Sequence, residues 1–141
     1  HPYFNSLREE SSLILSSPKL QVMNTALMSA QSGMGLEEAR RNSELWGRLI
    51  ESAVGASLAN GIRGQNIELF YWSSRNREVD FVICRGKTLV AIEVKSGRRK
   101  VSLPGVQAFS KEFRVKRNLL VGAQGIPLDE FFLTSPEEWL K

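Results

Sequence analysis

The apolar residues of this 141-residue chain change their spacing near residue 66. Upstream, they recur every three or four positions between Leu45 and Ala56, which predicts an amphipathic helix. Asn42 or Ser43 can cap its start, and Asn60-Gly61 supplies its end. Downstream, the spacing becomes alternating, which predicts strands over 67–72, 78–84 and 89–95, joined by turns at 73–76 and 85–87. In the second of these strands, Val79, Phe81 and Ile83 are expected to share one face.

The rest of the chain adds one crossover to these strands. Residues 104–113 predict an amphipathic helix, residues 117–122 a fourth strand, and residues 131–133 a short fifth one. Ser135-Pro136 followed by two acids is a helix-start signal. The order predicts an α/β domain with a mixed four-stranded sheet: three meandering strands, a crossover helix and a fourth strand.

One domain is predicted over 18–141, with an early strand near 20–23 and a turn or two of helix over 25–32. The serine-rich residues 1–17 are interpreted as a flexible N-terminal end or the remnant of an expression tag. Because the chain begins with His-Pro-Tyr instead of Met, we interpret it as a piece of a longer protein.

Composition limits the chemistry that the chain can perform. Cys84 is its one cysteine and His1 its one histidine, which excludes an internal disulfide and a cysteine-rich zinc site and nearly excludes histidine-based catalysis. No apolar run approaches the ~20 residues of a membrane-spanning helix. Carboxylates, lysines and arginines remain, and the net charge of +4 permits a polyanionic partner. The lone thiol is typical of a reducing cytoplasm.

Three charged residues interrupt the apolar strands. Asp80 lies between Val79 and Phe81, and Glu93 and Lys95 alternate with apolar residues in the following strand. A two-residue loop at 85–86 would set Asp80 opposite Ala91, and one at 86–87 would set it opposite Glu93. Either register puts the three charged residues on one face, whereas a three-residue loop without a bulge would separate them.

Two adjacent carboxylates repel each other and need a compensating cation. Lys95 can supply part of that charge, and Mg²⁺, which prefers oxygen ligands, is the other natural answer. The alternative is an ordinary cluster of solvated charges on an open sheet face.

Several segments resemble the PD-(D/E)xK nuclease superfamily. They are Arg77-Glu-Val-Asp80-Phe-Val-Ile, Val90-Ala-Ile-Glu93-Val-Lys95-Ser-Gly, Trp46-Gly-Arg-Leu-Ile-Glu51-Ser-Ala-Val, Phe70-Tyr-Trp72 and Lys19-Leu-Gln-Val-Met-Asn24-Thr-Ala26-Leu. The resemblance is nearer to the nuclease-like domain of unknown function that lies C-terminal to an AAA+ ATPase domain in bacterial and archaeal proteins. The early segment departs from that family, which carries Asp and Gly where this chain has Asn24 and Ala26.

The resemblance implies a restriction-endonuclease-like core. It implies Asp80 and Glu93 as ligands of Mg²⁺ or Mn²⁺, Lys95 as the catalytic lysine, and Glu51 as a further acidic catalytic residue. It also implies DNA as the substrate and an AAA+ ATPase domain on the same full-length chain.

Basic residues flank this predicted site. Arg98 and Arg99 follow the Lys95 strand and Arg75 and Arg77 lie on the preceding hairpin, so all four are candidate phosphate contacts. Related exonucleases carry a Gln, and a Tyr four residues later, in the next helix. Here Gln107 is in place and position 111 is Lys.

The sequence thus predicts a Mg²⁺-dependent DNA phosphodiesterase. A non-catalytic domain of the same fold, which binds nucleic acid or regulates an attached ATPase, is the second hypothesis. A plain protein-interaction domain is the third.

Overall fold

The computed structural model describes Gly33 and residues 35–97, 103–122 and 124–141. Helices cover both faces of one four-stranded sheet. The elements are α1 (Leu36–Arg41), α2 (Ser43–Gly61), β1 (Glu68–Ser74), β2 (Arg77–Arg85), β3 (Thr88–Val94), α3 (Pro104–Glu112), β4 (Val115–Val121), α4 (Leu128–Leu133) and α5 (Pro136–Trp139). The early strand and turn predicted within residues 18–32 lie outside the described residues, as do residues 1–17.

The sheet has the predicted topology. Its strand order is β1-β2-β3-β4, with β1, β2 and β3 antiparallel and β4 parallel to β3. A parallel neighbour needs a crossover, and α3 provides it. Arg75 and Asn76 both have positive φ in the first hairpin, as a type I′ turn requires. The mixed α/β architecture is therefore confirmed.

The long helix α2 begins and ends close to its predicted bounds. Asn42 is its N-cap, and the side chain of Asn42 accepts a hydrogen bond of 3.1 Å from the backbone N–H of Leu45. None of the helices in the described part of the chain is long and apolar enough to span a membrane.

The sheet separates two core layers. The layer under α2 includes Ile50, Val54, Leu58, Leu69, Phe81, Ile83, Val90, Ile92, Val94, Val121 and Phe131. The layer under α3 includes Phe70, Trp72, Val79, Val82, Cys84, Leu89, Ala91, Val106 and Phe109. In the second layer the Trp72 and Phe109 rings lie edge to face with their centroids 5.3 Å apart.

A β-bulge interrupts the pairing of β1 with β2. Phe70 pairs with Val82 and Trp72 with Val79, so Asp80 and Phe81 together face the single residue Tyr71. The prediction that Val79 shares a face with Phe81 is therefore wrong. Val79 packs in the α3 layer and Phe81 in the α2 layer, because the extra residue shifts the alternation by one position.

The predicted fifth strand at 131–133 is also wrong, because these residues end helix α4. An apolar run of three residues carries no period of its own. The acids Asp129 and Glu130 precede it in the first helical turn, where they suit the helix dipole. Phe131 is buried and stacks on Trp139, with ring centroids 5.9 Å apart.

Candidate metal and catalytic site

The β2–β3 hairpin resolves the question of register. Arg85 pairs with Thr88 across the two-residue loop Gly86-Lys87, and the ladder continues to the pair Phe81 and Ile92. Extending it by one residue sets Asp80 opposite Glu93, which is the second of the two registers considered. Gly86 has a φ of +59°, as the first loop residue of a type II′ turn requires.

Hydrogen bonds bring the two acids together. The backbone N–H of Val94 donates to Asp80 Oδ2 at 2.8 Å, and the backbone N–H of Asp80 points to Glu93 Oε2 at 3.4 Å. The Asp80 carboxylate therefore accepts a hydrogen bond from a β3 backbone N–H at the point where the regular β2–β3 pairing stops. Each acid is held against the backbone of the strand that carries the other.

Lys95 completes this cluster. Its Nζ lies 3.2 Å from Glu93 Oε1. Ile92 and Val94 pack in the α2 layer, so alternation directs Glu93 and Lys95 to the α3 side of the sheet. We call Asp80, Glu93 and Lys95 the charged cluster.

Glu51 lies on α2, which packs on the face of the sheet that carries Phe81, Ile92 and Val94. One turn before it, a Cβ added to Gly47 would lie 3.3 Å from Ser96 Oγ, so α2 closely approaches the chain just after β3. Among the described residues, no group of three or more acidic, histidine or cysteine side chains is placed to hold a metal ion. The structure thus brings Asp80 and Glu93 together but does not add Glu51 to them.

Burial makes the charged cluster electrostatically unusual. Asp80 and Glu93 are 9 % and 8 % exposed, whereas the Lys95 side chain is 43 % exposed. Desolvation raises the pKa of Glu93 above its ordinary value, and the neighbouring Asp80 raises it further, while Lys95 acts in the opposite direction. A second cation beside this pair would relieve the same repulsion.

Glu93→Gln is expected to raise the stability of the metal-free protein. Because the folded state raises the pKa of Glu93, ionisation at this site is harder in the folded than in the unfolded chain. The wild type therefore loses stability as pH rises from the unfolded-state pKa through the raised folded-state pKa, and the Gln variant escapes that loss. In urea unfolding, the free energy of unfolding of the variant minus that of the wild type should be larger at pH 7 than at pH 4. An equal difference at both pH values would contradict the electrostatic cause.

The donor set of the charged cluster fits a hard divalent cation. Asp80 and Glu93 supply oxygen ligands from adjacent strands, and Mg²⁺ is commonly held by one or two carboxylates with water and substrate phosphate completing its shell. The Lys95 side chain, whose amine lies 3.2 Å from Glu93 Oε1, is more exposed than either acid. A divalent cation held by two carboxylates can polarise a phosphoryl oxygen and lower the pKa of a bound water.

The other predicted site residues lie on several elements. Arg75 and Arg77 are exposed at the β1–β2 hairpin, and Gln107 is exposed on α3. Arg98 and Arg99 lie outside the described residues. Tyr71 is half-buried in β1, opposite the bulge.

Two parts of the site cannot be recognised from the sequence. One is the Val94 amide, since a backbone donor carries no residue signature. The other is the bulge at Asp80 and Phe81. The sequence around the bulge is an acid between two apolar residues. A regular strand with one solvent-exposed face has the same pattern, so the pattern does not reveal the bulge.

Comparison with known proteins identifies the family but no function. Residues 46–131 match the family described as a domain of unknown function, DUF4143. No curated protein and no solved structure matches the chain significantly. The matched residues run from α2 into α4 and include the whole charged cluster. Since the match covers more than half of the sequence, the chain belongs to the DUF4143 family.

Proposed function

We propose that this domain is a Mg²⁺-dependent nuclease that hydrolyses phosphodiester bonds in DNA. The observation that carries the proposal is the charged cluster: two buried carboxylates on adjacent strands, held by backbone amides, with a lysine amine 3.2 Å from one of them. A sheet face has no structural need for this set, because burying two acids side by side costs stability. The resemblance to PD-(D/E)xK nucleases supports the same interpretation.

In this mechanism Asp80 and Glu93 would hold Mg²⁺, or Mn²⁺ in its place. The bound metal supplies a Lewis acid for the phosphoryl oxygen and a water of lowered pKa. Lys95 orients the attacking water and offsets the negative charge that develops on the phosphate. The Val94 amide keeps the Asp80 carboxylate aimed at Glu93.

A non-catalytic role is the second candidate function. Lys95 forms an ion pair with Glu93. Among the described residues no group of three possible metal ligands occurs, so the cluster offers two acids and not three. Such a domain would bind nucleic acid or regulate an attached ATPase. The AAA+ domain on the same full-length chain and the DNA substrate both rest on the resemblance.

The test is metal-dependent cleavage by the full-length protein. Linear, nicked and branched DNA would be incubated with Mg²⁺, with Mn²⁺ and with EDTA. We expect slow cleavage of at least one substrate with either metal and none with EDTA. DNA binding with no cleavage on any substrate would favour the non-catalytic candidate.

Arg75→Ala and Arg77→Ala are expected to weaken DNA binding without changing metal affinity. Both side chains are exposed on the hairpin that leads into β2, so they contact phosphates rather than the metal. Each lost contact should lower the slope of log K against log salt by about 0.9. Fluorescence anisotropy at several salt concentrations measures this slope. Arg63→Ala, an exposed arginine beyond the end of α2, is the control, and an equal slope change there would contradict a specific role for the hairpin.

A further inference from the structure

The Asp80 carboxylate lies between two neighbours that are buried on opposite sides of the sheet. Val79 is fully buried in the α3 layer and Phe81 is 5 % exposed in the α2 layer. In a regular strand, residues two apart share a face. Asp80 is therefore the residue at which the chain changes register, and its carboxylate accepts the Val94 amide at 2.8 Å.

Helix α3 holds the backbone on the N-terminal side of this bulge. A Cβ added to Gly105 would lie 1.7 Å from the carbonyl oxygen of Glu78, so the first turn of α3 packs directly on the β2 backbone. Val106 and Phe109 of the same helix belong to the core layer of Val79. The residues just before Asp80 are thus packed against α3 and paired with β1.

Holding Val79 on the α3 side also decides where the bulge lies. If Val79 could leave this layer, the extra residue could move along β2 and Asp80 could turn away from β3. The close approach of Gly105 to the Glu78 carbonyl leaves no room for a side chain between the two backbones, and such tight packing opposes a shift of this part of β2.

We propose that Val79 and Gly105 are positioning residues for Asp80. They fix the position of the β-bulge, so that the Asp80 carboxylate accepts the hydrogen bond from the Val94 amide beside Glu93. Their effect on metal affinity rests on the proposed function, whereas their effect on the geometry of Asp80 does not.

Val79→Ala and Val82→Ala form a matched pair for the test. Both valines are 0 % exposed, lie in β2 and pack in the α3 layer, but Val82 lies beyond the bulge, where the ladder is regular. Amide hydrogen exchange at Val94 reports the hydrogen bond to Asp80 after correction for global stability. Isothermal titration with Mn²⁺ reports metal affinity.

In the full-length protein we expect Val79→Ala to lower the protection of the Val94 amide by about tenfold, as when most of a hydrogen bond to a charged group is lost. It should weaken Mn²⁺ binding by at least about tenfold, the size seen when a group that orients a metal ligand is removed. Val82→Ala should leave both values within about twofold of the wild type. Val106→Ala, which thins the same packing from the helix side, should change both values in the direction of Val79→Ala and replaces that variant if it does not fold.

Equal Val94 protection in the two valine variants would overturn the positioning role. Loss of protection in Val79→Ala with unchanged Mn²⁺ affinity would also overturn it as a role in metal binding. If the wild type binds no Mn²⁺, the proposed function fails, and Val94 exchange still decides whether Val79 positions Asp80.

Discussion

Asp80→Asn and Lys95→Met are each expected to lower the rate of metal-dependent DNA cleavage by about 10²–10³, the loss typical for one group that stabilises transition-state charge. The two losses have different origins. Asp80→Asn removes a charged oxygen ligand, so Mn²⁺ affinity should fall with the rate. Lys95→Met leaves both carboxylates in place, so the rate should fall while the metal still binds. Cleavage at saturating metal, measured beside Mn²⁺ titration, separates the two cases.

Glu78→Gln and Lys87→Met are the matched controls for this prediction. Glu78 is an exposed acid two residues before Asp80, and Lys87 is an exposed lysine in the β2–β3 loop. Both variants should cleave DNA at close to the wild-type rate. A residual rate common to the wild type, Asp80→Asn and Lys95→Met would identify the cleavage as a contaminant and contradict the proposed mechanism.

Gly105→Ala is expected to cost about 3 kcal/mol of stability, at the upper end of what overpacking a dense core costs. The added methyl group would lie 1.7 Å from Glu78 O, and only a backbone shift of α3 or β2 can relieve that clash. Urea unfolding measures the loss as a change in the free energy of unfolding.

Gly61→Ala is the comparison for this glycine. Its added methyl group would meet the Pro136 ring at 2.7 Å, a contact with side-chain atoms rather than with backbone. We therefore expect a smaller loss. A Gly105→Ala protein as stable as the wild type would show that α3 is free to move over β2.

Local patterns account for most of the fold. The periodicity of α2, the capping side chain of Asn42 and the two turn sequences each act within a few residues, so the sequence predicts them directly. The parallel placement of β4 follows from the crossover helix. The sequence predicts a strand at 131–133, but the helical character of this segment comes from the residues before it and from packing against Trp139.

Side-chain alternation along the strands predicts part of the site. Alternation put Glu93 and Lys95 together, but the sequence left two hairpin registers open. The structure has the Gly86-Lys87 loop, which sets Asp80 opposite Glu93. The bulge was not predictable in this way, because it depends on which core layer accepts Val79 and which accepts Phe81. The position of Glu51 relative to the charged cluster could not be predicted either, since the helical pattern of α2 does not say which face of the sheet the helix covers.

The most direct test of the central claim is the position of Mn²⁺ in crystals of the protein. Mn²⁺ gives an anomalous X-ray signal, so its position can be measured independently of the protein atoms. We predict one peak between Asp80 and Glu93, about 2.0–2.3 Å from a carboxylate oxygen of each, as expected for small divalent cations. The peak should be absent in Asp80→Asn crystals treated identically. A wild-type crystal with no peak there at millimolar Mn²⁺, or with its peak elsewhere, would contradict the account.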